Sequence, residues 1–252
     1  MSTTIHLTKS SGVATLTVDG PRNKNAITAP AARDIIEACE QIDRDSAIGG
    51  VILTGANGTF CSGADRALLK AAEEDPARDD LYEHLGLVYE SFMRVGALAV
   101  PVVAAARGAS VGAGVNLLLS ADLRIIAEDA RIIAGFARIG LHPGGGNFKL
   151  VTRLGGREAA SAISLFGEEI SGRRSAEIGL CWEAVPDGEV LARATQLAER
   201  VAEDPELSRR AVRSFRLSSD MGPDWRVAME MERSSQMWSL RRKHAASVAV
   251  EV

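Results

Sequence analysis

Three glycine clusters sit where the chain turns out of buried apolar runs, and their placement constrains this sequence more than any other feature. The first, Phe60-Cys61-Ser62-Gly63-Ala64-Asp65, lies downstream of Val51-Ile52-Leu53-Thr54. The second, Gly108-Ala109-Ser110-Val111-Gly112-Ala113-Gly114, follows the run Val102 to Ala106 and precedes a short helical stretch from Val115 to Ser120. The third is His142-Pro143-Gly144-Gly145-Gly146. A short run that is apolar at every position fits a strand covered on both faces. Strand, glycine-rich loop and helix recur in that order, which predicts an α/β fold.

The flanking segments agree. Ile5 and Leu7, then Val13, Ala14, Leu16 and Val18, read as two strands turned at Ser10-Ser11-Gly12. Thr28 is a candidate N-cap with Pro30 in the first turn, and Ala32, Ile35, Ile36, Cys39 and Ile42 recur at helical spacing. Leu81, Leu85, Val88, Phe92 and Val95 form one face of a second helical region. Leu123 to Ala127 and Ile132-Ile133 read as strands, and Gly108 to Gly114 as a turn. Beyond Pro143 the pattern becomes helical, with helices expected over 156–166, 188–203, 206–218 and 224–241. The expected division is a core over residues 1–190 and a helical C-terminal region over 191–252. That region carries Phe215, Trp225, Met229, Met231, Met237 and Trp238, which suit both a core and a subunit interface.

Composition removes several classes of function. The chain has 252 residues, a net charge of −4 and only 4% aromatic residues, so it lacks the basic, aromatic surface that binds nucleic acid by base stacking. Its three cysteines form no C-x-x-C pair, which argues against a disulfide scaffold or a zinc site and for a reducing compartment. The longest apolar stretch, Val95 to Ala106, is too short to span a bilayer and contains Pro101. No signal peptide is visible at the N-terminus, and a cytoplasmic location is expected.

Glycine loops after strands leave backbone N–H groups unpaired and admit a ligand closely. Two such donors aimed at one point hold an oxyanion, each contributing about 3–4 kcal/mol to a transition state. Two motif readings compete with that one. Gly112-Ala113-Gly114-Val115-Asn116 has part of a dinucleotide fingerprint but lacks the third glycine. Gly108-Ala109-Ser110-Val111-Gly112 matches G-x-S-x-G, which would make Ser110 a hydrolase nucleophile, served by Asp187 or Asp224 and His244. Against it, the His142 glycine segment follows the serine instead of preceding it.

Taken together and in order, the clusters identify a resemblance. Pro21-Arg22-Asn23-Lys24-Asn25-Ala26-Ile27, Val51 to Gly55, Phe60 to Asp65, Pro101 to Ala105 with Gly108 to Gly114, Ala121-Asp122-Leu123-Arg124, and Gly140 to Gly146 resemble the crotonase (enoyl-CoA hydratase/isomerase) superfamily. The resemblance runs from about Val13 to the helical tail. It implies a spiral of ββα units with a helical C-terminal region that drives assembly into a homotrimer or a dimer of trimers. It implies an acyl-CoA ligand, an enoyl-CoA lyase or isomerase activity of fatty-acid metabolism, and no cofactor beyond the coenzyme A of the substrate. By motif position the oxyanion donors are the N–H groups of Ala64 and Ala113. The segment at Arg22, Lys24 and Ala26, with Asp65, Arg66 and Lys70, is expected to lie along the coenzyme A portion. Asp65 and Asp122 are also read as structural acids.

The sequence departs from that pattern at both acids. Family hydration resembles acid–base catalysis by two glutamates flanking one water. The first belongs three residues after the second donor, where this chain has Asn116; the second belongs seven residues before the proline of the P-G turn, where it has Phe136. An amide cannot accept a proton as a general base does, and a phenyl ring does not exchange one. His142 is a further candidate acid/base, and Arg138 a candidate partner for a substrate carboxylate. Phe136, facing the pocket, would favour a small or flat acyl group. Two functions remain: an enzyme working through the oxyanion, or an acyl-CoA binder without catalysis.

Overall fold

In the computed structural model, described residues are 3–219 together with 225, 226, 229, 230, 233, 236, 237, 240, 241, 244 and 245. β1 (Thr4–Ser10) and β2 (Val13–Asp19) form a hairpin in full antiparallel register, with Ser11 and Gly12 turning at positive φ. α1 (Ala29–Arg44) starts at Thr28, whose side chain accepts from the Ala31 N–H at 3.2 Å. Its buried face includes Ala32, Ile35, Cys39 and Ile42. β3 (Gly50–Gly55) follows, then α2 (Arg66–Glu74), α3 (Asp79–Gly96) and β4 (Val102–Ala106).

Beyond β4 the chain repeats a strand–strand–helix unit. β4 leads into β5 (Ala109–Val111) and α4 (Ala113–Ser120); β6 (Leu123–Ala127) leads into β7 (Arg131–Ile133) and α5 (Asn147–Ala160). β8 (Glu169–Ser171), α6 (Gly172–Glu177), β9 (Glu183–Val185), α7 (Val190–Ala202) and α8 (Pro205–Ser219) follow. Two sheets result, one in the order β1-β2-β3-β4-β6-β9 and a smaller one in the order β5-β7-β8. The first member of each unit joins the large sheet, and the second joins the small one. Isolated parallel bridges at Cys61–Ser110 and Ile27–Ala64 extend the second layer to the first glycine cluster.

The large sheet is parallel from β2 onward, and β4 is buried at every position, as its uniform Val/Ala sequence predicts. α7 lies on β2, β3, β4 and β6 through the buried stripe Ala194, Ala198 and Ala202. Small residues let it approach closely: a Cβ on Gly50 would sit 2.9 Å from the Ala198 carbonyl oxygen.

Several expected boundaries shift. Gly108 to Gly114 contains β5, so it is a strand and a helix start, not a turn alone. The helix expected over 156–166 begins instead at Asn147, breaks at Gly156 (φ 79, ψ 175) and ends in a π-turn over Ser161–Leu165. The stretch after Pro143 is not purely helical, because β8 and β9 lie within it. Three residues are too few to carry a strand's alternation, which is why both strands escape a pattern reading. The helices expected over 188–203 and 206–218 correspond to α7 and α8. Of the helix expected over 224–241, the described residues are helical, while Asp224, Met231 and Trp238 lie outside the described residues. Among the described residues no helix is long and apolar enough to cross a membrane.

Candidate active site

The first glycine cluster is held from behind by the segment after β2. Ile27 N–H donates to Gly63 O at 2.8 Å, Asp65 N–H to Ile27 O at 3.1 Å, and Ser62 N–H to Lys24 O at 3.0 Å. Buried Asn25, at φ 61, accepts from Gly20 N–H and donates to the carbonyls of Ala56 and Thr59. Asn25 is therefore the clamp of this corner, a role that its sequence neighbourhood alone did not disclose. The second cluster docks on the first. Val111 N–H donates to Cys61 O at 2.9 Å and Cys61 N–H to Ala109 O at 3.1 Å.

Glycine is required where the two clusters meet. A Cβ on Gly114 would fall 2.2 Å from Cys61 O, and one on Gly63 would fall 2.8 Å from Val111 O and 3.6 Å from the Ala113 nitrogen. Gly112 adopts φ 52, ψ −116, a conformation that L side chains rarely adopt, and this reversal starts α4. The N–H groups of Ala64 and Ala113 are thereby brought to adjoining loops. Neighbouring N–H groups are committed: Gly63 to Cys61 Sγ, Asp65 to Ile27 O, Gly112 to Ile133 O. Among the described residues, those of Ala64 and Ala113 have no hydrogen-bond partner. Ala113 is also the first residue of α4, where the helix dipole adds positive potential.

Both alanines open onto one cavity of about 660 Å³, a volume typical of small-molecule sites. Leu69, Leu85, Tyr89, Val111, Phe136, Ile139 and Leu141 make its wall largely apolar. Phe136 faces it, as its sequence position predicts, and is 8% exposed. Arg66 and Lys70 are exposed on α2 and line the same cavity. Arg22 and Lys24 are exposed on the loop after β2 and are not among its lining residues. Ala26 is buried, and its carbonyl accepts from Thr3 Oγ1 at 2.6 Å. Asp65 caps α2 by accepting from Ala67 N–H at 3.2 Å. Asp122 pairs with Arg216 at 2.7 Å and accepts from Val102 N–H. Both acids thus hold structure.

Asn116 also lines the cavity but is 1% exposed and fully engaged. Ser164 Oγ donates to Asn147 Oδ1 at 2.7 Å, Asn147 Nδ2 to Asn116 Oδ1 at 2.9 Å, and Asn116 Nδ2 to Gly144 O at 2.8 Å. Each amide's orientation is set by the previous donor, so the series has one direction. It ties α5 and the π-turn to the third glycine cluster, where Gly145 and Gly146 both have positive φ. A Cβ on Gly145 would meet Asn116 Nδ2 at 2.8 Å. The third cluster is a turn docked on Asn116.

His142, Ser110 and Asp187 are not among the residues that line the cavity. His142 packs its ring edge on Phe148 and has Nδ1 2.6 Å from Pro143 O; Leu141 and Gly144 line the cavity. Arg138 lines the cavity while donating to Gly167 O, with Glu169 3.7 Å away. Ser110 is 1% exposed inside β5, paired with Ile132, rather than on a strand-to-helix elbow. Asp187 is taken by an ion pair with Arg107, which holds its carboxyl below the usual range. Cys61 behind the loop is buried, and desolvation pushes its thiol up to about 12. The cavity also presents a residue that sequence reading overlooked, Glu73 on α2. Its signal was the helical spacing of Arg66, Leu69, Lys70 and Glu73.

Residues 8–235 match the family model described as enoyl-CoA hydratase/isomerase. A probable enoyl-CoA hydratase of Mycobacterium tuberculosis is 40% identical over 155 residues, covering 62% of this chain and 59% of that protein. The chain thus spans about three-fifths of the length of that relative. The 1,2-epoxyphenylacetyl-CoA isomerase of Escherichia coli K12 is 33% identical over 199 residues, 77% of this chain and 74% of that protein. The crystal structure of an enoyl-CoA hydratase from Bacillus halodurans superposes with a TM-score of 0.86 at 20% identity, covering 96% of this chain and 99% of that one. That last likeness concerns the fold.

Proposed function

The chain belongs to the crotonase (enoyl-CoA hydratase/isomerase) superfamily, and from that premise we propose that it binds an acyl-CoA thioester and stabilises its enolate between the N–H groups of Ala64 and Ala113. The observation that carries this reading is the pair of uncommitted N–H groups on adjoining loops whose residues line one largely apolar cavity. A thioester carbonyl placed there gains both donors as charge develops on its oxygen, about 3–4 kcal/mol per donor. Arg66 and Lys70 at the cavity wall would meet the phosphates of the coenzyme A portion, with Arg22 and Lys24 further along it. The ligand carries the coenzyme, and the protein supplies position and charge.

The reaction proposed is of the isomerase type and not hydration. Hydration needs one group to take a proton from water and another to deliver one to carbon. Asn116 has its amide committed to Asn147 and Gly144, and Phe136 offers hydrocarbon. The flat walls of Phe136 and Tyr89 favour a small or planar acyl group. The phenyl ring in the substrate for which the Escherichia coli relative is named supports that direction. We also propose a cytoplasmic homotrimer or dimer of trimers, in which residues 191–252 form the assembly region. Exposed Leu191, Leu207 and Phe215 in its described part support an interface there.

A second reading is favoured by the same Asn116 and Phe136: an acyl-CoA binder with no turnover. The test mixes the protein with crotonyl-CoA and longer trans-2-enoyl-CoAs and follows binding and loss of the enoyl absorbance. Binding with no hydration is expected. Hydration would overturn the isomerase assignment, and failure to bind any acyl-CoA would overturn the whole reading.

A further inference from the structure

An enolate forms only if some group takes a proton from carbon, and it is productive only if a proton returns. Both positions that would supply such a group are closed here. Asn116 is locked into the directional series Ser164–Asn147–Asn116–Gly144, and Phe136 is a phenyl ring. Among the described residues lining the cavity, the charged side chains are Arg66, Lys70, Glu73 and Arg138. Guanidinium and ammonium groups carry donors and no acceptor, and a phenol such as Tyr89 ordinarily keeps its proton at neutral pH. Glu73 alone among them is a carboxylate. It lies on the cavity-facing stripe of α2 that begins next to Ala64, and it is half-buried. Leu85 and Tyr89 on α3 are also in this wall.

We infer that Glu73 is the proton-transfer group of this cavity, serving the γ-carbon of a 2-enoyl thioester. The inference rests on the acyl-CoA reading above. The γ C–H of a 2-enoyl chain is acidified through the double bond. The Glu73 carboxylate takes that proton, the C–H electron pair moves into the chain, and the thioester oxygen becomes the dienolate oxygen held by Ala64 and Ala113. Return of the proton from Glu73 to the γ-carbon restores the substrate; its delivery to the α-carbon gives the 3-enoyl isomer. No water is added, no group leaves, and no electron acceptor is needed. The proton-transfer position has moved from α4 and the residues after β7 to α2.

The test incubates trans-2-hexenoyl-CoA with the protein in deuterium oxide and reads deuterium at carbon 4 by NMR, with binding measured in parallel by calorimetry. The wild-type protein is expected to wash deuterium into carbon 4. Glu73→Gln is expected to lose that exchange by about 100-fold or more while still binding the ligand. Glu73→Asp, which keeps the carboxylate on a shorter stem, is expected to retain part of it. Exchange undiminished in Glu73→Gln overturns the assignment. Wild-type protein that binds hexenoyl-CoA without any exchange overturns it too, and leaves the acyl-CoA reading standing. Wild-type protein that binds no acyl-CoA overturns both.

Discussion

At Gly63 and Gly114 the backbone leaves no room for any side chain, and beside them Ala64 and Ala113 line a cavity with N–H groups that have no hydrogen-bond partner among the described residues. At Asn116 and Phe136 the same cavity is lined by side chains that are packed and unable to move a proton. The two regions share a wall and answer to different constraints. A backbone donor survives any substitution that keeps the loop shape, so alanine at positions 64 and 113 keeps both N–H groups. A side-chain acid is lost with one substitution, and its place is then free to be reused for packing. Presenting backbone donors and carrying a side-chain acid are therefore separable properties of this cavity wall.

The largest effect expected from breaking that contrast comes from Ala113→Pro. Ala113 is the first residue of α4, where proline is tolerated and removes only the N–H. Binding of a 3-oxoacyl-CoA should weaken by about 3 kcal/mol, measured by calorimetry, with the far-ultraviolet circular dichroism unchanged. Next is Gly114→Ala, whose methyl group would lie 2.2 Å from Cys61 O, a backbone atom that cannot swing away. A loss of about 1–3 kcal/mol in denaturant unfolding is expected, together with weaker ligand binding.

Asn116→Asp tests the other side. It removes the donor to Gly144 O and sets a carboxylate against a carbonyl inside a buried series. Stability should fall by about 1–3 kcal/mol, read from the denaturation midpoint, and no hydratase activity should appear. An Asn116→Asp protein as stable as the wild type would show that the amide is not a clamp. The smallest effect concerns Cys61, whose thiol burial holds near 12, far above the unfolded value, so the thiolate is disfavoured while the loop stays folded. Alkylation of Cys61 at pH 8 should be negligible in the native protein and rapid after unfolding, as mass spectrometry of the labelled peptide would record.

Much of this was legible in the sequence, and the limits have physical causes. Val102 to Ala106 predicted a doubly covered strand because uniform burial writes itself as uniform apolarity. Thr28 and the stripe from Ala32 to Ile42 predicted α1 for the same reason. Phe136 lines the cavity. β8 and β9 were missed because three residues carry no period. The start of α5 was hidden behind three glycines that read as loop. Glu73 was missed because an acid on an amphipathic helix resembles a solvated one until the opposite wall is known. The bonds of Asn116 to Asn147 and Gly144 are partners 31 and 28 residues away in sequence, and no local pattern announces them.

The central claim is that Ala64 and Ala113 hold a developing enolate oxygen. A titration of the protein with acetoacetyl-CoA, followed in the near ultraviolet, tests it most directly, since the enolate of that thioester absorbs there and its keto form does not. An enolate band that grows with occupancy, and is lost in Ala113→Pro, is the predicted result. Saturable binding with no enolate band in the wild-type protein would contradict it.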